Sequence, residues 1–375
     1  MRLFEYQAKE IFAQYGIGIP KGKLAGSKEE IKKCVEEIGV PCVLKAQVLS
    51  GGRGKDGLII VARKGIEAIE QGVWLFECGK NIKKVLIEQL IDIQKEIYIS
   101  ITVDPQKAKA MLMACSQGGM DIETIAATMP EKIIRELIDI NTGVQPFQIN
   151  DFVYRLGFQG DVSKQIGHIV EAMYGIFEKY DAELVEINPL FITQEGSVIA
   201  GDGKLVIDDN SMFRQPMFKK EREYFDSDME YQAALEGIPY LQFDGNISLM
   251  CAGAGLANTV YDIVNYEGGR VANYLEFGGP NYMKAQKAMD LCLKNKSDVI
   301  LIVTFGTIAR ADVMAQGIAD AIRNLKIDRP IVTCIRGTGE EKAMEILQSE
   351  GLICISDTEE AVKFAVEIAS GRKRQ

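Results

Sequence analysis

Histidine is nearly absent: His168 is the only one in 375 residues. It falls in an amphipathic helical run at 162–179, where a lone histidine is ordinarily structural. The chain therefore offers no histidine metal cluster and no histidine of its own suited to catalysis. Cysteine is never clustered. Cys34, Cys42, Cys78, Cys115, Cys251, Cys292, Cys334 and Cys354 stand singly, with no CxxC spacing. Most lie in apolar runs, as buried free thiols do, and point to a reducing cytoplasm. No apolar run approaches transmembrane length, and Met1-Arg2-Leu3-Phe4-Glu5-Tyr6 does not read as a signal peptide, so no membrane contact is expected. Positive charge is in deficit. A formal net charge of −10 disfavours broad nucleic-acid binding but leaves room for an anion in a local basic pocket. The GxxxxGK[ST] spacing is missing, as are GxGxxG in its dinucleotide register and the HRD and DFG patterns.

What is present is an ordinary globular composition, 47% hydrophobic and 26% charged, long enough for two or three domains. Helical periodicity covers 5–15 and 28–38, the latter with Ile31, Val35 and Ile38 on one face. A strand at 40–48, carrying Lys45, runs into Ser50-Gly51-Gly52-Arg53-Gly54-Lys55-Asp56-Gly57 and then a strand at 58–61. Glycines let a backbone approach phosphate oxygens, and Arg53, Lys55 and Lys45 supply positive charge. The same loop also suits a basic surface hairpin. Strands at 84–90 and 96–102 are joined through 91–95, and Glu88 precedes this connector, whose backbone could bond an adenine edge. A strand at 109–115, a mixed stretch at 123–136 interrupted by Pro130 and a helix at 162–179 complete an α+β pattern with an antiparallel sheet.

Glu186-Ile187-Asn188-Pro189-Leu190 closes a strand beginning at Ala182, and Asp202-Gly203-Lys204 opens the next. Alternation puts Glu186 and Asn188 on one face, Pro189 is expected to stop the ladder, and Asp202 is expected beside them in a hairpin. Three converging oxygen-bearing side chains suit Mg²⁺ with phosphate ligands. They also suit a hairpin with polar ends. Residues 219–231 are highly charged and read as a linker or a solvated peripheral helix. After residue 240 strands and helices alternate regularly, as in a doubly wound parallel sheet. Small residues follow the strands at Ala252-Gly253-Ala254-Gly255, Gly278-Gly279-Pro280, Gly306-Thr307-Ile308-Ala309 and Gly337-Thr338-Gly339, where open α/β sheets bind ligands.

Together the pieces make a Mg²⁺–nucleotide site followed by a sheet with anion-binding mouths. Phe4-Glu5-Tyr6-Gln7-Ala8-Lys9, Gly51-Gly52-Arg53-Gly54-Lys55, Glu186-Ile187-Asn188-Pro189-Leu190, Asp202-Gly203-Lys204, Phe213-Arg214-Gln215-Pro216 and Asp244-Gly245-Asn246-Ile247 occur in one order over essentially the whole chain. In these motifs it resembles the β subunits of the nucleoside-diphosphate-forming acid–CoA ligases, above all succinate–CoA ligase. The resemblance implies an ATP-grasp module at 1–230 and a flavodoxin-like CoA-ligase domain at 231–375. It implies nucleotide (ATP or GTP) contacts at Lys45, Gly52, Arg53, Gly54, Glu88, Ile91 and Glu96, and Mg²⁺ ligands at Asn188 and Asp202. Glu186 would orient a phosphohistidine carried by an α subunit, which also binds most of the CoA, in an αβ or α₂β₂ assembly. Such a partner accounts for the missing histidine. The acid would lie near Asn246, Ala252, Gly306, Thr307, Ile308 and Ala309.

The acid mouths depart from the succinate pattern. Ala252 stands where Asn is usual, and Thr307-Ile308-Ala309 replaces Gly-Ile-Val. Succinate is the first expectation, with malate, citrate, a sulfonated acid or another small acid as alternatives. Arg310 and Asp312 read as family-like residues or as a helix-start ion pair. A carboxylate–amine ligase and a noncatalytic regulatory subunit are the rival classes.

Overall fold

The computed structural model describes residues 1–119, 122–278, 284–306 and 310–371. The chain divides into two compact units, Met1–Lys220 and Glu221–Gln375.

The first unit holds two antiparallel sheets. In the smaller, β1 (Gly22–Ala25), β2 (Cys42–Ala46), β3 (Ile59–Ala62) and β4 (Val85–Gln89) lie in the order β1-β4-β2-β3. Helices α2 (Lys28–Ile38) and α3 (Gly65–Glu77) cover it; Ile31, Val35, Ala68 and Leu75 pack against Leu44 and Ile87. The larger sheet runs β10 (Lys204–Ile207), β8 (Ala182–Thr193), β5 (Ile93–Asp104), β6 (Lys109–Cys115), β7 (Ile133–Ile138), with β9 (Val198–Ala200) also on β8. Helices α1 (Glu5–Gln14), α4 (Ile122–Thr128), α5 (Pro146–Arg155) and α6 (Gly160–Lys179) complete the unit.

Two details differ from expectation, and the first shapes the site. Pro189 does not end its strand. Ile97 pairs with Leu190 and Ile99 with Ile187, so Asn188 and Pro189 together face Tyr98. This is a bulge, where a proline lacking its N–H is tolerated. The connector after Glu88 is also shorter than expected. Strand β5 already begins at Ile93, leaving Leu90-Ile91-Asp92 to cross from one sheet to the other.

The second unit is one six-stranded sheet ordered β11-β13-β12-β14-β15-β16: β11 (Tyr240–Gln242), β12 (Ile247–Ala252), β13 (Val271–Leu275), β14 (Val299–Gly306), β15 (Ile331–Gly337) and β16 (Ile353–Cys354). All pairings are parallel except β11 with β13. Without that edge strand the order is the 2-1-3-4-5 of a flavodoxin-like fold. Helix α7 (Asp228–Leu235) precedes β11. Helices α8 (Ala254–Tyr266) and α12 (Thr358–Ala369) pack on one face of the sheet. Helices α9 (Ala285–Lys294), α10 (Ala311–Asn324) and α11 (Glu340–Ser349) pack on the other. Among the described residues no helix is long and apolar enough to cross a membrane.

Candidate active site

The site begins with α1. Its buried face carries Ala8, Ile11 and Phe12, but also Glu5 and Lys9, which are 4% and 2% exposed. Burying charge is costly unless each ion finds a partner. Here each does. Lys9 Nζ donates to both Glu88 carboxylate oxygens at 2.6 and 2.8 Å and lies 3.0 Å from Glu5 Oε1. Lys45 Nζ bridges Glu5 at 3.0 Å and Glu88 at 2.7 Å. Arg53 donates to Glu5 Oε2 and to Asp202 Oδ2, both at 2.6 Å. Three carboxylates thus face three cations. Burial alone would raise the Glu5 pKa, but Lys45, Lys9 and Arg53 hold it well below the usual carboxylate range. Burial opposes the Lys45 and Arg53 charges too, and their acidic partners outweigh it and raise both.

The same cations position the metal-type ligands. Strands β9 and β10 both lie on one edge of β8, and Gly201-Asp202-Gly203 links them beside its bulge. Lys9 and Lys45 both donate to the Gly201 carbonyl, at 2.9 and 2.6 Å. The Gly201 N–H donates to the Pro189 carbonyl at 2.9 Å. This turn sets Asp202 on the wall of a cavity of about 380 Å³ that is also lined by Gly52, Arg53, Gly54, Glu186 and Asn188. Six of the residues singled out in the sequence therefore share one cavity.

Within it, Glu186 Oε2 accepts from the Tyr98 hydroxyl at 3.1 Å. Burial raises the Glu186 pKa, with Asp202 and Glu123 adding to it and Lys204 and Tyr98 opposing. Burial also raises the Tyr98 pKa, so the phenol stays a donor. Asn188 Oδ1 accepts from the Gly119 N–H at 2.9 Å. Asn188 and Asp202 supply one amide and one carboxylate oxygen, and no group of three or more His, Cys, Asp or Glu among the described residues could hold a metal. That donor set fits Mg²⁺ brought in with a nucleotide, whose phosphates and water complete an octahedron. It does not fit a metal caged by protein alone. In this structure the Asp202 carboxylate already faces a cation, the Arg53 guanidinium.

Other expectations need correction. Glu88, expected as a nucleotide contact, is 2% exposed and neutralises Lys9 and Lys45. Ile91 lies in the short connector and Glu96 at the start of β5, and neither lines the cavity. Asn246 is at the wrong end of its strand. It precedes β12, and its amide donates to Asp298 and to the Ala369 carbonyl. Ala252 closes the same strand, about 20 Å away at ~3.3 Å per residue. Gly306 ends β14. Thr307, Ile308 and Ala309, with Gly279 and Pro280, lie outside the described residues. Arg310 and Asp312 form an ion pair at 3.0 Å at the start of α10. Sequence reasoning assigned no role to Glu5 or Lys9, nor to Arg2, which lines the same cavity. The one available signal was the i, i+4 placement of Glu5 and Lys9 on the Phe12 face.

A family model for the ATP-grasp domain matches residues 2–192, and one for CoA-ligase matches residues 250–368. The ADP-forming sulfoacetate–CoA ligase subunit SauC of Bilophila wadsworthia is 55% identical, covering 99% of this chain and 100% of that one. Subunit SqwK of the same kind of ligase, from Acholeplasma sp, is 56% identical over 100% of this chain and 93% of its own. The succinate–CoA ligase β subunit of Ignicoccus hospitalis is 40% identical over 98% and 99% of the two chains. The expectation that succinate–CoA ligase is the best match is thereby overturned. The motifs that carried it occur in a chain that is 40% identical to a succinate enzyme and 55 to 56% identical to sulfoacetate ones. An ATP citrate lyase structure from Methanothrix soehngenii shares the fold, with a TM-score of 0.75 at 20% identity over 98% of this chain and 99% of the other. ATP-grasp domains use magnesium and a nucleoside triphosphate, and family members pair with an α subunit bearing a phosphohistidine. With both domains matched in order and relatives of 40 to 56% identity aligned along the whole chain, the protein belongs to the nucleoside-diphosphate-forming acid–CoA ligases, as a β-type ATP-grasp subunit.

Proposed function

We propose that the chain is the nucleotide-using subunit of an ADP-forming ligase that joins a sulfonated acid, sulfoacetate, to CoA. The overall reaction is sulfoacetate + CoA + ATP → sulfoacetyl-CoA + ADP + phosphate, through a histidine of the α subunit. The observation that carries this reading is the 55 and 56% identity to two sulfoacetate–CoA ligase subunits, against 40% to a succinate enzyme. Ala252 agrees with it, since the acid mouth lacks the amide usual in succinate-type subunits. The CoA-ligase match over residues 250–368 stands against a carboxylate–amine ligase.

The residues divide the work as their positions allow. The exposed Gly51, Gly52 and Gly54 have open space where a Cβ would stand, so phosphate oxygens can approach the loop backbone. Bound with the nucleotide, Mg²⁺ would be held by Asn188 and Asp202 and would neutralise phosphate charge during transfer. Glu186, with one oxygen tied to Tyr98, accepts a hydrogen bond from the visiting imidazole and fixes which nitrogen is free to carry phosphate.

The test is a purified αβ pair assayed with sulfoacetate, succinate, malate and citrate, using ATP and GTP. A kcat/KM for sulfoacetate at least about 10-fold above the other acids, roughly 1.4 kcal/mol of discrimination, supports the reading. Preference for another acid overturns it.

A further inference from the structure

The second unit holds a polar group that its fold does not explain. The residues of β14 read Val-Ile-Leu-Ile-Val-Thr-Phe-Gly, and Thr304 is its only hydroxyl. Thr304 is 0% exposed, and among the described residues its Oγ1 has no hydrogen-bond partner. Valine has the same shape without the oxygen. A position serving packing alone is better filled by valine, because a buried hydroxyl left unpaired costs stability.

Its place in the sheet gives the hydroxyl a purpose. Thr304 pairs in register with Ala252 on β12 and Ile335 on β15. By alternation it shares a face with Ile300 and Ile302, which pack against α9 and α10. The helix after β12 packs on the opposite face. The winding therefore reverses between β12 and β14, and their carboxyl ends flank the crevice where open α/β sheets take ligands. Ala252 closes β12 on that face, and on β14 the buried Gly306, which ends the strand, follows Thr304 there.

The backbone beside them already holds an oxyanion. Glu276 Oε1 accepts from the N–H of Gly253 at 3.2 Å and of Gly278 at 2.9 Å. A Cβ on Gly278 would lie 3.0 Å from the Ala252 Cβ and 3.1 Å from that carboxylate oxygen. The ends of β13, β12 and β14 thus bring together two amides engaged by Glu276, a small apolar floor and a hydroxyl that no described residue engages. A sulfonate presents three acceptor oxygens where a carboxylate presents two, so it calls for one more donor.

We infer that the Thr304 hydroxyl donates a hydrogen bond to the distal oxyanion of the acid substrate and helps to set acid choice. The inference rests on the acid–CoA ligase reading above and narrows it to one side chain.

The experiment uses the αβ enzyme with Thr304→Val and Thr304→Ser. Acid binding is read as ligand-dependent thermal shift and as KM over the four-acid panel. Thr304→Val is expected to raise KM for sulfoacetate about 10- to 100-fold, as for loss of a hydrogen bond to a charged group. KM for ATP and for CoA should be unchanged, and the ligand-free melting point equal or higher. Thr304→Ser, which keeps the hydroxyl, should stay within about threefold of wild type by the same reasoning. If the wild type prefers another acid, the sulfoacetate reading fails and the comparison is made on that acid. A 10-fold loss there still supports the donor. An unchanged KM for the accepted acid in Thr304→Val, an equal rise for all three substrates, or no acid-dependent signal in the wild type overturns it.

Discussion

Glu5 answers to three cations at once, and its removal is more than the loss of one contact. Glu5→Gln leaves Lys9, Lys45 and Arg53 facing only Glu88 and Asp202, an uncompensated buried positive charge. The expected destabilisation at pH 7 is about 3–5 kcal/mol, as for breaking other buried pairs. The sign of its pH dependence follows from the lowered pKa. A carboxylate depressed in the folded state contributes stability above its unfolded value, and that contribution is lost as pH falls through the folded one. Denaturation of wild type and Glu5→Gln should therefore converge in acid, below the ordinary carboxylate range, and differ most near neutrality. A constant difference from pH 3 to pH 8 would show that Glu5 acts through shape. Glu186 behaves oppositely. Burial already disfavours its charge, so Glu186→Gln should cost no stability while cutting phosphoryl transfer about 100-fold, measured as partner phosphorylation from labelled ATP. Cavity-wall residues such as Glu186, Asn188 and Asp202 were legible in the sequence because strand alternation and a turn glycine place them. Glu5 and Lys9 were not, because the charges that make their burial tolerable come from residues 45, 53 and 88, which no local periodicity connects to α1.

At the scale of elements, α3 shows what periodicity misses. It contains two glycines, Gly65 and Gly72, and apolar residues around most of its circumference, so neither propensity nor a clean stripe marks it. Gly72 is there for closeness. A Cβ would meet Ile31 Cγ2 at 2.7 Å and Leu44 Cδ2 at 3.0 Å, where α2 and α3 press onto β2. Gly72→Ala gains about 1 kcal/mol of helix propensity and loses about 1–3 kcal/mol to overpacking, since a β-branched neighbour moves poorly. Overpacking wins, and the urea midpoint of the first unit should fall; a rise would mean that the two helices separate easily. The parallel strands of the second unit were readable for the converse reason. Covered on both faces, β12, β14 and β15 are mostly apolar runs, broken by Ser248, Thr304 and Thr333, that run into a glycine at their carboxyl ends. Strand β8 was read only to Ile187 because a proline in a ladder ordinarily ends it, and the bulge that accommodates Pro189 depends on pairing with Tyr98, a residue from a distant strand.

At the scale of the whole molecule, the missing histidine becomes a statement about assembly. His168 is 77% exposed on α6 and 3.6 Å from Glu171, a surface contact remote in character from the buried charge around Glu186. His168→Gln should leave the turnover of the αβ enzyme unchanged. The purified single chain should show negligible acyl-CoA synthesis, and label from the γ-phosphate of ATP should reside on the partner, in acid-labile form. Label retained by this chain and lost in His168→Gln would reverse that assignment.

The three-residue link at Gly201-Asp202-Gly203 belongs to the larger sheet by sequence, yet its carbonyl is gripped by an ammonium from α1 and another from β2 of the smaller sheet. It works as a rivet between two layers, and the carboxylate it carries cannot shift without registering how firmly they are joined. Deuterium uptake at this turn is accordingly a gauge of clamping. It should slow when nucleotide binds in the cavity, and quicken in Lys9→Met while the far strands β6 and β7 keep their protection.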